Sequence, residues 1–98
     1  MAAEGDLREK LKTRVKAYGG ELRAVKWLGR SNAPDVLVLF SSWGKTTATS
    51  AHHVFVETKG TKKVNEAQLR EHQRMREAGC HVILCRNEQE LDAWLPPL

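Results

Sequence analysis

The sequence predicts an α/β fold in which a mixed β-sheet is flanked by helices, with the elements in the order α-β-β-β-α-β-α. Two long segments carry apolar residues at helical spacing, and four short segments are rich in aliphatic and β-branched residues. Glycine, asparagine and proline residues separate these segments. The 98 residues suit a single domain, 1–98, near the lower size limit for one hydrophobic core.

The first helix is predicted in "DLREKLKTRVKAYGG", residues 6–20, and ends at the Gly19-Gly20 pair. Its apolar stripe has three- and four-residue spacing and consists of Leu7, Leu11, Val15 and Tyr18. The alternating segment "ELRAVKWL", residues 21–28, is predicted as the first strand.

The second strand, "DVLVLF" at residues 35–40, is apolar on both faces, which is typical of a central strand covered on both sides. A polar loop at 41–51 leads to the third strand, "HHVFVETK", at 52–59. Strands that follow one another in sequence usually pair, so we expect an antiparallel hairpin.

The second helix is predicted at 65–79, with Asn65 as its N-cap and Gly79 as its end. A fourth strand, "CHVILC", follows at 80–85, and a short last helix, "NEQELDAWL", at 87–95.

The composition, 41% hydrophobic and 29% charged, is that of an ordinary globular chain. No segment approaches the ~18 apolar residues of a membrane span, and the N-terminus has acids where a signal peptide has its apolar core. We therefore expect an intracellular, cytoplasmic protein with no membrane partner. The net charge is +4, and residues 8–30 hold eight Lys or Arg against two acids. This fits phosphate binding, although many solvated helices are similarly basic.

The two cysteines, Cys80 and Cys85, are the first and last residues of the predicted fourth strand, and His81 follows Cys80. These three residues lack the four ligands of a structural zinc site. Reduced cysteines in the core are the favoured interpretation.

Three charged residues lie at the ends of the two predicted hairpin strands. Asp35 opens the second strand, and Glu57 and Lys59 close the third. In an antiparallel pair the start of one strand lies beside the end of the next, so the three side chains are expected to converge.

Two neighbouring carboxylates repel each other unless a cation joins them, and Mg²⁺ typically takes one or two carboxylates with waters and phosphates. Such an ion polarises a phosphoryl oxygen, and an adjacent lysine can stabilise the developing charge. These are the parts of a phosphodiester hydrolase. The alternative is structural: Asp35 would cap the turn after Pro34, and Glu57 with Lys59 would form an exposed ion pair.

The motifs "APDVLVLF" and "VFVETKG" resemble those of the PD-(D/E)xK nuclease superfamily. Together with "GG", the Gln68-x-x-x-His72 spacing and "AGCHVILC", they resemble the stand-alone, virus-type VRR-NUC domain over nearly the whole chain. The resemblance implies a restriction-endonuclease-like fold, DNA cleavage with Mg²⁺ or Mn²⁺, and a homodimer. It also implies a viral or bacterial setting, with phage biology or DNA repair as the context.

Carried over by position, the resemblance implies that Asp35 and Glu57 are catalytic metal-binding acids and that the backbone carbonyl of Thr58 is a further metal ligand. An N-terminal helix glutamate also belongs to the family's pattern. Glu4 fits best because it extends the apolar stripe of the helix by one turn.

The resemblance further implies that Lys59 is the catalytic lysine and that Gln68 is a catalytic-site glutamine of the second helix. Gln68 has an equally good structural role in a capping box with Asn65. His72 shares a helix face with Gln68 and Met75 and could therefore face the site, but a packed or half-exposed histidine is the favoured interpretation.

The chain departs from the family's pattern in two places. Asn32 stands where the family usually has a glycine, and asparagine tolerates a left-handed backbone better than most residues. The polar loop at 41–51 is longer than expected and carries Trp43, which could contact DNA or a second subunit.

The sequence as a whole predicts a metal-dependent DNA endonuclease that recognises branched or junction structure rather than base sequence. A non-catalytic nucleic-acid-binding module and a small interaction protein are the alternatives. The expected phosphate contacts are Lys10, Lys12, Lys62, Lys63, Arg70 and Arg74.

Overall fold

The computed structural model describes residues 4–29, 31–40, 53–60 and 63–97. Its elements are α1 (Glu4–Ala17), β1 (Glu21–Ala24), β2 (Val36–Leu39), β3 (His53–Thr58), α2 (Glu66–Glu77), β4 (Val82–Cys85) and α3 (Glu88–Trp94). The strands form one sheet in the order β1-β2-β3-β4, in which only β3 and β4 are parallel. The predicted fold class, element order and antiparallel hairpin are confirmed.

One face of the sheet is covered by α1 and α3. The predicted apolar stripe of α1 is buried, and its last member, Tyr18, donates a 2.6 Å hydrogen bond to the Pro96 carbonyl. The strand residues in this core are Val36, Val38, Val54, Val56 and Cys85, and α3 and its end add Leu91, Trp94 and Leu95. This core fixes the N-terminal helix against the strands that carry the candidate site.

Each residue of the Gly19-Gly20 pair is a glycine for a steric reason. Gly19 has φ +79°, a left-handed conformation that side chains disfavour. A Cβ on Gly20 would lie 2.7 Å from the backbone oxygen of Leu39, closer than such atoms approach. The pair therefore lets the chain turn tightly from α1 into β1 beside β2.

The opposite face of the sheet is only partly covered. Here α2 packs against β4 and reaches β3 through His72, so β1 and β2 lie beside the helix rather than beneath it. Leu37 and Leu39 are consequently half-buried, whereas Val36 and Val38 are buried. Among the described elements α2 does not lie over this half of the face, and the expectation that β2 is covered on both sides stays a prediction there.

The first strand is shorter than predicted and ends at Ala24 rather than Leu28. The Trp27 ring turns away to pack against Phe55, with ring centroids 5.5 Å apart, and its Nε1 donates to the Pro34 carbonyl at 2.6 Å. Asn32 adopts φ +68°, which confirms that asparagine supports the left-handed turn before Pro34.

Both cysteines are free thiols, and Cys85 lies in the core as predicted, while Cys80 is half-buried before β4. Burial raises the pKa of the Cys85 thiol to about 11, and its Sγ accepts a hydrogen bond from Trp94 Nε1 at 3.0 Å. Cys85 is therefore an unreactive packing residue. Within the described ranges, no helix is long and apolar enough to cross a membrane.

Candidate active site

The hairpin register brings the two predicted acids together. Val36 pairs with Val56 across β2 and β3, and one step further along this antiparallel register Asp35 lies opposite Glu57. Opposed residues project to the same face of a sheet. The register therefore places both residues at the edge where β2 begins and β3 ends, with Glu57 on the face that carries α2.

Asp35 is bound by a residue that the sequence did not single out. Arg8 of α1 donates from Nη2 to both carboxylate oxygens of Asp35, each at 3.0 Å. The two side chains remain 37% and 53% exposed, so this is an ion pair in contact with solvent. The carboxylate that is the candidate metal ligand therefore has a cationic partner in this structure.

Glu57 lies in a different environment, because its side chain is 8% exposed and faces fully buried His72. His72 Nε2 lies 3.5 Å from Glu57 Oε1, too far for a strong hydrogen bond. Burial is the main cause that lowers the pKa of His72, and the charge of Arg76 adds to it. The imidazole beside Glu57 is therefore neutral near pH 7, and His72 points toward the predicted site rather than packing elsewhere.

Lys59 follows β3 directly and is half-buried. Its backbone N–H donates to the Cys85 carbonyl at 3.0 Å, which continues the parallel β3–β4 ladder by one residue. Its charge is close enough to contribute to the lowered pKa of His72. Lys59 therefore lies on the same side of the sheet as Glu57 and His72.

Gln68 forms the predicted capping box at the start of α2. Its backbone N–H donates to Asn65 Oδ1 at 2.8 Å, and its side-chain Oε1 accepts from the Asn65 N–H at 3.2 Å. The residue is also buried on the face of α2 that carries His72. The cap therefore fixes the position of Gln68, and its catalytic role stays a prediction.

Two of the predicted contacts lie outside the described part of the chain, namely Lys62 and the loop with Trp43. Glu4 begins α1, but its side chain lies outside the described atoms, so its predicted metal contact stays a prediction.

The basic residues of α1 lie on two flanks of the helix. Lys10 and Arg14 face α3: Lys10 Nζ is 2.7 Å from Glu88, and Arg14 binds Asp92 and the Leu95 carbonyl. Because residues four apart lie on one side of a helix, Arg8, Lys12 and Lys16 form the opposite flank. We call these three residues the Arg8 flank.

The structure therefore separates two predicted phosphate contacts on the same helix. Lys10 is held by α3, whereas Lys12 is exposed on the Arg8 flank, which begins at the candidate site. A surface cavity of about 420 Å³ lies on the Lys10 side, lined by Glu9, Lys10, Thr13, Arg14, Ala17 and Pro97. It does not include the paired acids.

The predicted basic contacts of α2 have acidic neighbours. Arg74 Nη2 lies 2.6 Å from Oε1 of buried Glu71, and Arg70 lies 3.8 Å from Glu66. Both arginines remain largely exposed, at 58% and 65% of their side chains. Lys63 is also exposed, before α2 begins. The acidic partners Glu71 and Glu66 weaken the attraction of Arg74 and Arg70 for a phosphate.

The residues present fit a hard divalent cation. Asp35 and Glu57 supply opposed carboxylates, the donor type that Mg²⁺ and Mn²⁺ prefer. Among the described residues, no group of three His, Cys, Asp and Glu side chains is arranged to hold a metal. Further ligands would therefore come from the Thr58 carbonyl, water or phosphate, as is usual for Mg²⁺.

Two residues that bear on the site were not singled out from the sequence. Arg8 gave no signal because its partner is 27 positions away and basic residues abound in α1. Glu71 is buried on the face of α2 that carries His72, and its spacing with Gln68 and Met75 could have identified it.

A sheet of this topology with opposed acids and a following lysine at one edge defines a nuclease-type α/β domain. No family model matches the chain, and no curated protein matches it. A solved structure described as a VRR_NUC domain is 33% identical, has a TM-score of 0.74, and the match covers 94% of each chain. The chain belongs to the VRR-NUC family.

Proposed function

We propose that this chain is a Mg²⁺- or Mn²⁺-dependent deoxyribonuclease that hydrolyses phosphodiester bonds in DNA. One observation carries the proposal: Asp35 and Glu57 are register partners at the sheet edge where Lys59 follows β3. Membership of a nuclease-type family supports the same activity.

In this mechanism, Asp35, Glu57 and the Thr58 carbonyl would hold the metal, with Glu4 as a candidate further ligand. When bound, the ion supplies polarisation of the phosphoryl oxygen and a more acidic water. Lys59 orients the attacking water and stabilises negative charge that develops on the phosphate. Buried His72 limits the movement of Glu57, and the Gln68 cap fixes the start of α2 beside them.

The substrate is proposed to be branched or junction DNA. The basic flank of α1 offers contacts to phosphates, which carry no information about base sequence. A homodimer with one complete site in each subunit would present two such sites to two strands.

One observation favours a second candidate, a non-catalytic DNA-binding module. Arg8 binds both carboxylate oxygens of Asp35, which is how a purely structural ion pair would look. Against it, a binding module gains nothing from opposed acids, because they repel the phosphate backbone.

Cleavage assays on linear, flap, four-way-junction and supercoiled DNA test the proposal, with Mg²⁺, Mn²⁺ or EDTA. We expect metal-dependent cutting that favours branched substrates. If the protein binds DNA but cuts none of these substrates with either metal, the binding module is established instead. Equal cutting in EDTA would overturn the role of the metal.

A further inference from the structure

Arg8 and a divalent cation would need the same oxygen atoms. The Nη2 atom of Arg8 lies 3.0 Å from both Oδ1 and Oδ2 of Asp35 and so engages the whole carboxylate. A metal bound by Asp35 needs at least one of these oxygens and adds two positive charges beside the guanidinium. The observed ion pair and a loaded metal site therefore compete with each other.

Breaking the Arg8–Asp35 ion pair costs the folded protein little free energy. Both side chains are exposed to solvent, and pairs of this kind contribute little to stability. The Arg8 Nε atom is buried and has no hydrogen-bond partner among the described residues, so the guanidinium is held mainly through Nη2.

A guanidinium displaced from Asp35 remains anchored by its helix at the edge of the site. It is planar and always charged, and it binds phosphate oxygens with paired N–H groups. Arg8 also begins the flank that carries exposed Lys12 and Lys16. A released Arg8 would therefore be the basic residue of this flank nearest to the acids.

We propose that Arg8 exchanges partners. It holds Asp35 in the metal-free protein, and it binds a phosphate of the nucleic acid when a divalent ion occupies Asp35. The inference rests on the proposed metal site and adds to it a residue that opposes metal binding alone and favours metal and DNA together.

The first test measures Mn²⁺ affinity by electron paramagnetic resonance in low salt without DNA. Arg8→Ala should bind Mn²⁺ about two- to fivefold more tightly than the wild type, the range expected when an exposed competing ion pair is removed. Arg8→Lys, which keeps the charge, should stay near the wild type. Lys12→Ala, four residues away on the same flank, is the matched control and should change Mn²⁺ affinity less than Arg8→Ala.

The second test measures DNA affinity by fluorescence anisotropy in Ca²⁺ and in EDTA, with uncut DNA verified on gels. Arg8→Ala should weaken DNA binding about threefold or more in Ca²⁺ and much less in EDTA, where wild-type Arg8 still binds Asp35. Lys12→Ala should weaken it similarly in both. Circular dichroism melts establish that each variant is folded, and Arg8→Gln, which also removes the charge, replaces Arg8→Ala if Arg8→Ala is unfolded.

The outcomes separate this exchange from the proposed function. Wild-type Mn²⁺ binding that Asp35→Ala abolishes supports the metal site, and unchanged or weaker Mn²⁺ binding by Arg8→Ala would then overturn the exchange alone. Equal losses of DNA affinity in Ca²⁺ and EDTA would also overturn it. Absence of Mn²⁺ binding by the wild type would overturn the metal site and the exchange together.

Discussion

Asp35 and Glu57 lie opposite each other in the hairpin register, yet the Asp35 side chain is 53% exposed and that of Glu57 is 8% exposed. The exposed acid is balanced by Arg8 in solvent, and the buried acid is enclosed beside His72. Substitutions at the two positions therefore have different meanings. A change at Asp35 reports on chemistry, whereas a change at Glu57 also disturbs packing.

The first prediction concerns Asp35→Ala. We expect cleavage to be abolished, while the free energy of unfolding falls by no more than about 1 kcal/mol because the lost pair is exposed. DNA affinity should stay the same or increase, since the change removes a negative charge and frees Arg8. Cleavage rates, urea unfolding and anisotropy measure the three quantities.

Glu9→Ala is the matched control for Asp35→Ala, because it also removes an exposed acid, but one that lies on α1. It should cut DNA at the wild-type rate. Undiminished cleavage by the Asp35 variant would remove Asp35 from the site.

The second prediction concerns Lys59→Ala. Because Lys59 follows the strand that ends with Glu57 and Thr58, its charge is expected to act on the chemical step. Single-turnover cleavage should slow by on the order of 10² or more, with DNA affinity nearly unchanged. Lys63→Ala, at an exposed position, should alter affinity instead of rate. A Lys59 effect confined to affinity would reduce this residue to a phosphate contact.

The third prediction separates Lys12 from Lys10. Lys12→Ala should weaken DNA binding and reduce the slope of log affinity against log salt by about one, as expected for one lost phosphate contact. Lys10→Ala should reduce that slope less than Lys12→Ala does, because the Glu88 carboxylate 2.7 Å from Lys10 repels a phosphate there. Equal slopes for the two variants would contradict the assignment of the DNA-binding flank.

The sequence was sufficient for the parts of the site that depend on strand order. The position of Asp35 opposite Glu57 follows from a hairpin, and the cap formed by Asn65 and Gln68 follows from their spacing. Contacts between distant elements were beyond reach, because a basic helix offers several equivalent cations. Which of them meets Asp35 depends on how α1 packs against the sheet.

Coverage of the sheet was also hard to predict. The apolar character of Leu37 and Leu39 suggests a covered strand, but α2 is placed over β4 and the end of β3 instead. The local sequence pattern indicates that a side chain is apolar, but it does not predict which element or which second molecule will pack against that side chain.

The fourth prediction is a homodimer. The half-buried residues Trp27, Leu37, Leu39 and Phe55 leave apolar surface on one face of the sheet, and Leu28, which follows Trp27, is 88% exposed. A symmetric partner would cover such surface. Sedimentation at micromolar concentration should give twice the 11.1 kDa chain mass.

Leu28→Asp should shift the dimer toward monomer because it places a charge beside the apolar face. Leu69→Asp is the control, since Leu69 is 47% exposed on α2 and not part of this half-buried cluster. A wild-type mass near that of one chain would defeat the dimer.

The last prediction concerns acid stability and His72. Burial and the charges of Arg76 and Lys59 lower the pKa of His72 below its ordinary 6.5, against the opposing effect of Glu71. As pH falls below about 6.5, the unfolded chain binds a proton at this histidine before the folded protein does, so the free energy of unfolding decreases. One such group contributes at most about 1.4 kcal/mol per pH unit.

Urea unfolding in EDTA between pH 7.5 and 5 tests this contribution. The free energy of unfolding should fall less steeply with pH in His72→Gln than in the wild type, whatever the variant's stability at pH 7.5. His81→Gln, at an exposed position, is the matched control. An equally steep loss in His72→Gln would show that His72 does not contribute to the acid sensitivity of the fold.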